Sequence, residues 1–302
     1  ALETVEEYPE ENSSSAQVFG RVLADIVRKY PSDSYGLIFT SHGSGWLPQG
    51  ALANPTRSLG EDRNPGPAGG APEMEIADFA AAIPDHQFDF IIFEACLMSG
   101  VEVAYELRNK TDYILASSAE LLVPGYAHVY PTASQYLFDT DLEVPEALRK
   151  FARSYFDYIN AQNGAYRSTT QSIVYTRDMD ALAALAAETF ANADASADNA
   201  APDKLQHFDR PGSYGDTPAK PRYFDFGEYM TQLSPKRRAE TEALLGKVVV
   251  WKAATPEFMA GYNGFTIRTH SGLTTYIEQD VFPQLNAAYE KTAWWKATHV
   301  RR

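Results

Sequence analysis

The 302-residue chain has a single cysteine, Cys96, which excludes an intramolecular disulfide and any multi-cysteine zinc or iron–sulfur centre. It also lacks any apolar run near the ~20 residues that a membrane span requires. No secretory signal opens it, as in a mature or trimmed chain. Basic residues are scarce: 26 Lys and Arg stand against 40 Asp and Glu, a net charge of −14. A protein that grips a phosphate backbone needs a basic footprint, so nucleic acid is not an expected partner. Internal repeats and sharp composition changes are absent too, and residues 1–302 read as one domain. What is present, 44% hydrophobic and 13% aromatic residues with 18 Tyr and 16 Phe, is globular. A chain of this length buries roughly 75% of its unfolded surface without staples.

The Glu-rich lead-in ends in Ser13–Ser15, residue types that cap helices, and Val18, Phe19, Val22, Leu23, Ile26 and Val27 then recur at helical spacing until Pro31. YGLIFT (35–40) reads as a short buried strand, followed by the loop SHGSGWLPQG and a Pro- and Gly-rich stretch over 53–72. A short helix near 74–83 leads into FDFIIFEA (88–95), apolar nearly throughout, as a parallel strand covered on both faces should be. LMSGVEVAYELRN then reads as an amphipathic helix beginning at Cys96, and TDYILASSA (111–119) as another buried strand. Strand and helix alternate over short links, the signature of an α/β fold. Further helices are expected near 145–161, 178–193 and 225–245, strands at 171–176, 248–253, 262–267 and 274–278, and a polar loop near 209–222.

Ligands of open parallel sheets bind beyond the carboxyl ends of the strands, where the loops after 35–40 and 88–95 carry His42 and Cys96. An imidazole near a thiol supplies thiolate, and a helix beginning at the cysteine would add partial positive charge. Gly43 allows close backbone approach, so its N–H and that of Cys96 are candidate oxyanion donors. Each residue alone also has an ordinary explanation: a lone Cys at a strand end is commonly a small buried hydrophobe, and a His in a Gly-rich loop a turn residue. The pair at the ends of two apolar strands favours chemistry. His86, His128, His207, His270 and His299 have no partner cysteine and read as structural or surface residues.

SHGSGW (41–46) and FEACLMSG (93–100) resemble the clostripain family of bacterial cysteine peptidases, within the larger group of caspases, legumains and gingipains; YGLIFTSHGSGWLP, the segment from FDFIIFEACLMSG to TDYILASSAE, VVVWKAATPEF and SGLTTYIE extend the likeness over most of the chain. The resemblance implies a caspase-like three-layer α/β/α sandwich with a mostly parallel central sheet. It also implies a His-Cys dyad of His42 and Cys96, with no third member and with Gly43 and Cys96 as oxyanion donors. Cleavage after Arg or Lys in that family is linked to an Asp two positions before the nucleophile; here the position holds Glu94. The charge is kept with a reach longer by one methylene, while the ranking of Arg and Lys is left open. Pairing to an Arg or capping a helix are the structural alternatives for Glu94. Glu120 is a weaker candidate wall of the same pocket. Relatives also carry strands upstream of such a segment and are cut by themselves between the two motifs. In the 53–72 loop that points to Arg57 and Arg63.

No cofactor is expected. Some members of the family need calcium, but no D-x-D-x-D-G loop is present. The expected partners are protein or peptide substrates, with the chain monomeric and secreted, periplasmic or on the cell surface of a bacterium. Three readings compete: a non-catalytic surface binding module on a peptidase scaffold, a peptidase of non-basic specificity, and a serine esterase. The last needs a G-x-S-x-G elbow, and none of Ser44, Ser99 or Ser271 has Gly two positions before it.

Overall fold

The structure, a computed structural model, describes residues 4–51, 59, 60, 62, 73–193, 200–213, 215 and 217–299. Among them the strands are β1 (Gly36–Thr40), β2 (Phe88–Glu94), β3 (Thr111–Ala116), β4 (Thr170–Tyr175), β5 (Phe224–Asp225), β6 (Val249–Ala254), β7 (Glu257–Phe258), β8 (Phe265–Thr266) and β9 (Thr274–Thr275). The helices are α1 (Ala16–Lys29), α2 (Ile76–Ala82), α3 (Val101–Glu106), α4 (Tyr130–Leu137), α5 (Val144–Asn160), α6 (Met179–Ala191), α7 (Phe226–Leu233), α8 (Arg238–Val248), α9 (Pro283–Tyr289) and α10 (Ala293–Thr298).

The central sheet has five strands in the order β1-β2-β3-β4-β6. β1, β2 and β3 pair in parallel, and β4 is antiparallel to both β3 and β6, so β4 alone runs against the other four. Alternation along the strands sends side chains to opposite faces. Ile91, Phe93, Ile114 and Val174 join the larger core under α2, α3, α6 and α10. Phe90, Ile92, Leu115 and Ile173 join a second core built with Leu148, Phe151, Ala152 and Tyr155 of α5. Helices therefore cover both faces, and the fold is the three-layer, mostly parallel caspase-like sandwich that the sequence led us to expect.

Several local expectations change. β1 is the sheet's edge strand and is only half-buried, with Leu37 and Phe39 turned to the larger core and Ile38 38% exposed. Its short apolar run looks like a central strand, yet one face has no helix over it. Ser15 occupies the N-cap of α1 without a side-chain cap bond, and Ser13 instead donates its N–H and hydroxyl to Asp62 at 2.6 and 3.0 Å. The helix expected over 225–245 is two, α7 and α8, divided at Ser234–Arg237 because Pro235 removes a backbone donor. Beyond β6 the chain forms two-residue strands rather than long ones.

α3 is six residues long and begins at Val101, five residues beyond Cys96, and Val101 to Tyr105 are all buried. It is a core helix, not an amphipathic one. Its buried Glu102 is tied to the C-terminal part of the chain, accepting bonds from Tyr276 N–H at 2.8 Å and the Thr275 hydroxyl at 3.1 Å. Desolvation raises its carboxyl from 4.5 to about 7. Between those values the unfolded chain has lost this proton and the native one still holds it, so its contribution to stability falls as pH rises through that window. Glu102→Gln does not titrate. Its stability relative to the native sequence is expected to improve from about pH 5 to pH 8 in urea or thermal unfolding, and parallel pH profiles for the two proteins would refute this assignment.

Candidate active site

In the parallel register of β1 and β2, Thr40 lies opposite Glu94. His42 and Cys96 each come two residues later, so both loops leave the sheet at the same level. The loops then pack directly on each other. A side chain at Gly43 would put Cβ 2.8 Å from the Cys96 carbonyl oxygen, and one at Gly45 would put it 2.8 Å from the Leu97 carbonyl oxygen. Gly45 also has φ +62°, a conformation that favours glycine. The Tyr223 hydroxyl anchors the histidine loop by donating to the Ser44 carbonyl at 2.6 Å.

Cys96 sits in a turn, with Leu97 at φ +62°. The expected contribution of a helix starting at the cysteine is therefore corrected, because α3 starts too late for its free N–H groups to reach the thiol. The loop after β3 supplies one donor and one acceptor to this turn instead. Leu121 N–H donates to Cys96 Sγ at 3.3 Å, and Leu97 N–H donates to the Ala119 carbonyl at 2.9 Å. The turn is pinned further along by Ser99, whose N–H donates to the Ser117 carbonyl at 3.0 Å and whose hydroxyl donates to the Gly272 carbonyl at 2.7 Å.

His42 is exposed and Cys96 half-buried, and both line one cleft of about 700 Å³ with Thr40, Glu94, Glu120, Leu121, Val123 and Arg210. That volume suits a ligand-binding cleft. Glu94 is buried and accepts three hydrogen bonds: from the Thr40 hydroxyl at 2.6 Å, Tyr126 N–H at 2.6 Å and the Tyr130 hydroxyl at 2.8 Å. Burial and the bond to Glu94 hold the Tyr130 phenol well above its ordinary range, so it remains a donor. Among the described residues no Arg or Lys pairs with Glu94. Its longer side chain lies over Gly125, where any Cβ would overlap the carboxylate.

Glu120 lines the cleft as expected, but its charge is already taken. Arg210 holds it through Nε at 2.6 Å and Nη2 at 3.2 Å, and gives a third bond from Nη1 to the Tyr262 carbonyl at 3.1 Å. Sequence reasoning missed Arg210, Thr40, Tyr126, Tyr130 and the Leu121 N–H. Only Thr40 carried a signal, its place two residues before His42 matching that of Glu94 before Cys96. Arg57 and Arg63 lie outside the described residues. Nearby, buried Leu59 exchanges backbone bonds with Met74 at 2.8 and 2.9 Å. Among the described residues no group of three or more His, Cys, Asp or Glu is arranged to hold a metal ion, and no helix is long and apolar enough to cross a membrane.

The model of the clostripain family matches residues 3–248. Clostripain of Hathewaya histolytica is 27% identical over 136 residues, a match covering 42% of this chain and 25% of that relative's length. An inactive zymogen C11 protease from Parabacteroides distasonis has a similar structure, with 28% identity, TM-score 0.78, and coverage of 98% of this chain and 79% of that one. A secreted C11 cysteine protease from Bacteroides thetaiotaomicron, solved with an irreversible peptide inhibitor, is 25% identical with TM-score 0.75, covering 96% and 79%.

The contact between the loops makes one position sensitive. Gly43→Ala drives a methyl group against the Cys96 carbonyl, and is expected to cost about 1–3 kcal/mol of stability, the usual scale of overpacking. It should also slow iodoacetamide alkylation of Cys96, with Ser44→Ala as a control for the loop. Unchanged stability and alkylation in Gly43→Ala would mean that the loops do not meet in this way.

Proposed function

The chain belongs to the clostripain family, and from that premise we propose that it is a cysteine endopeptidase in which His42 and Cys96 cleave peptide bonds after basic residues. The observation that carries the reading is the convergence of the two motifs, through register and two glycine contacts, on one cleft that also holds a buried carboxylate without a basic partner among the described residues. In this mechanism His42 takes the thiol proton and the Cys96 thiolate attacks the scissile carbonyl carbon. The carbonyl π electrons move to oxygen, which the N–H groups of Gly43 and Cys96 stabilise. His42 then returns the proton to the leaving amine as the C–N bond breaks. Water activated by the same imidazole attacks the thioester, releasing the acid and the thiol.

In this reading Glu94 receives the Arg or Lys side chain of the substrate. Its bonds from Thr40, Tyr130 and Tyr126 fix the carboxylate's orientation, and the charge on it meets that of the substrate at short range. Protein or peptide chains are the substrates, and a place outside the cytoplasm accords with the secreted relative. We also propose self-cleavage in the 53–72 loop after Arg57 or Arg63. The position between the two motifs lets the uncut segment reach the cleft while leaving the strands on either side intact, and Pro- and Gly-rich stretches are accessible to proteases. The zymogen among the similar structures is compatible with activation of this kind.

Cys96→Ala and His42→Ala are each expected to lose peptidase activity by on the order of a thousandfold or more while keeping the fold; full turnover by either would dismiss the dyad. Glu94→Gln is expected to weaken cleavage after Arg and Lys by roughly 10- to 1000-fold, the scale of one charge-assisted contact. Unchanged kinetics on basic substrates would move specificity elsewhere. Mass spectrometry of wild type and Cys96→Ala incubated alike tests the loop. Cuts after Arg57 or Arg63 in the wild type alone support self-cleavage, whereas an intact, fully active wild type or an equally cut variant overturns it.

A further inference from the structure

The cleft holds two buried carboxylates in different electrostatic states. Glu94 is held by neutral donors only, a threonine hydroxyl, a phenol and a backbone N–H. Glu120 is held by a guanidinium in two-point contact. The guanidinium belongs to this chain: Arg210 sits on the segment entering the polar loop near 209–222, is mostly buried, and lines the cleft beside His42 and Cys96. Its remaining bond to the Tyr262 carbonyl fastens it to the turn before β8. Geometrically, Arg210 does at Glu120 what the arginine of a peptide would do.

We propose that Arg210 is a specificity-determining residue, which by occupying Glu120 leaves the cleft one anionic position and excludes a second basic side chain from the substrate. The proposal rests on the reading of Glu94 as the acceptor of a basic residue and goes beyond it by assigning the second carboxylate. A buried pair that loses one member leaves an uncompensated charge, which a basic side chain of the substrate placed beside it would compensate. The bidentate geometry of Arg210 sets the match in shape as well as in charge. With Arg210 in place, a second Arg or Lys in the substrate meets a neutralised pair and the edge of a guanidinium. Without it, the same side chain meets a bare carboxylate. Two opposite changes follow. Loss of the Arg210 charge turns the position anionic, and loss of the Glu120 charge turns it cationic, favouring Asp or Glu in the substrate over Arg or Lys.

The test is a peptide-library digest by wild type, Arg210→Met, Glu120→Gln and Glu94→Gln, each first shown to be folded by a cooperative thermal unfolding transition. Arg210→Met keeps the aliphatic stem. It is expected to raise selectivity for substrates with a second basic residue by roughly tenfold, the scale of a charge-assisted contact. Glu120→Gln is expected to move the same selectivity the other way. If Arg210→Met does not fold, the milder Glu120→Gln carries the test with its opposite sign. Identical profiles for wild type and both variants, or shifts in the same direction, overturn the proposal. Failure of the Glu94 reading looks different: wild type and Glu94→Gln would then share one profile with no basic preference, whatever Arg210→Met and Glu120→Gln do relative to each other.

Discussion

The parallel register between β1 and β2 is the constraint on which the site depends. Thr40 stands opposite Glu94, and because side chains alternate along a strand, a slip of one residue would turn the slipped strand's side chains to the opposite faces of the sheet. Register is therefore enforced by the core, through Phe39 and Phe93 on one face and Phe90 and Ile92 on the other, and the loops that follow inherit it. Their approach to within a glycine's reach is a second condition. Cys96 and His42 are thus located by strand packing and backbone proximity, without any bond between their own side chains being required.

The turn that carries Cys96 has no helix to define it, so it takes its shape from neighbours far away in sequence. The loop after β3 bonds to it through Ala119, Leu121 and Ser117, and the segment around residues 272–276 bonds to Ser99 and Glu102. Tyr223 does the same for the histidine loop. Strand β9, through its pairing with β5 and the bridge from Gly100 to Thr274, joins these supports into one framework. A site assembled in this manner is preorganised by the whole domain, which suits chemistry that requires fixed donors around a developing oxyanion.

The elements legible in the sequence were those with strong local signals. FDFIIFEA is apolar on both faces and forms a central strand, and the periodic stretches at 16–29, 144–160 and 179–191 form helices. His42 and Cys96 were legible as candidates because each follows a short apolar run that forms a strand. Edge character was not legible in β1, since exposure depends on whether a helix lies overhead and not on the strand's own residues. Arg210 was illegible for another reason: its partner lies 90 positions away, and nothing in either local context distinguishes a buried ion pair from two surface charges. Tyr126 and Tyr130, two of the three partners of Glu94, were hidden in the same way, being set by the tertiary course of the chain at 121–130.

Glu94 also latches that loop to the sheet, through Tyr126 and Tyr130, while Thr40 ties it to the neighbouring strand. On the proposed reading of Glu94, recognition and architecture share an amino acid, which limits how such a protein can diverge. A lineage cannot trade one preference for another here by a single replacement without loosening the wall that shapes its own cleft, and the bare backbone of Gly125 beneath the carboxylate leaves no ready substitute in size. Changes at Thr40, Tyr130 or Gly125 that tolerate a shorter or uncharged residue would have to come first. The order of substitutions, and not only their sum, is written into the packing around one carboxylate.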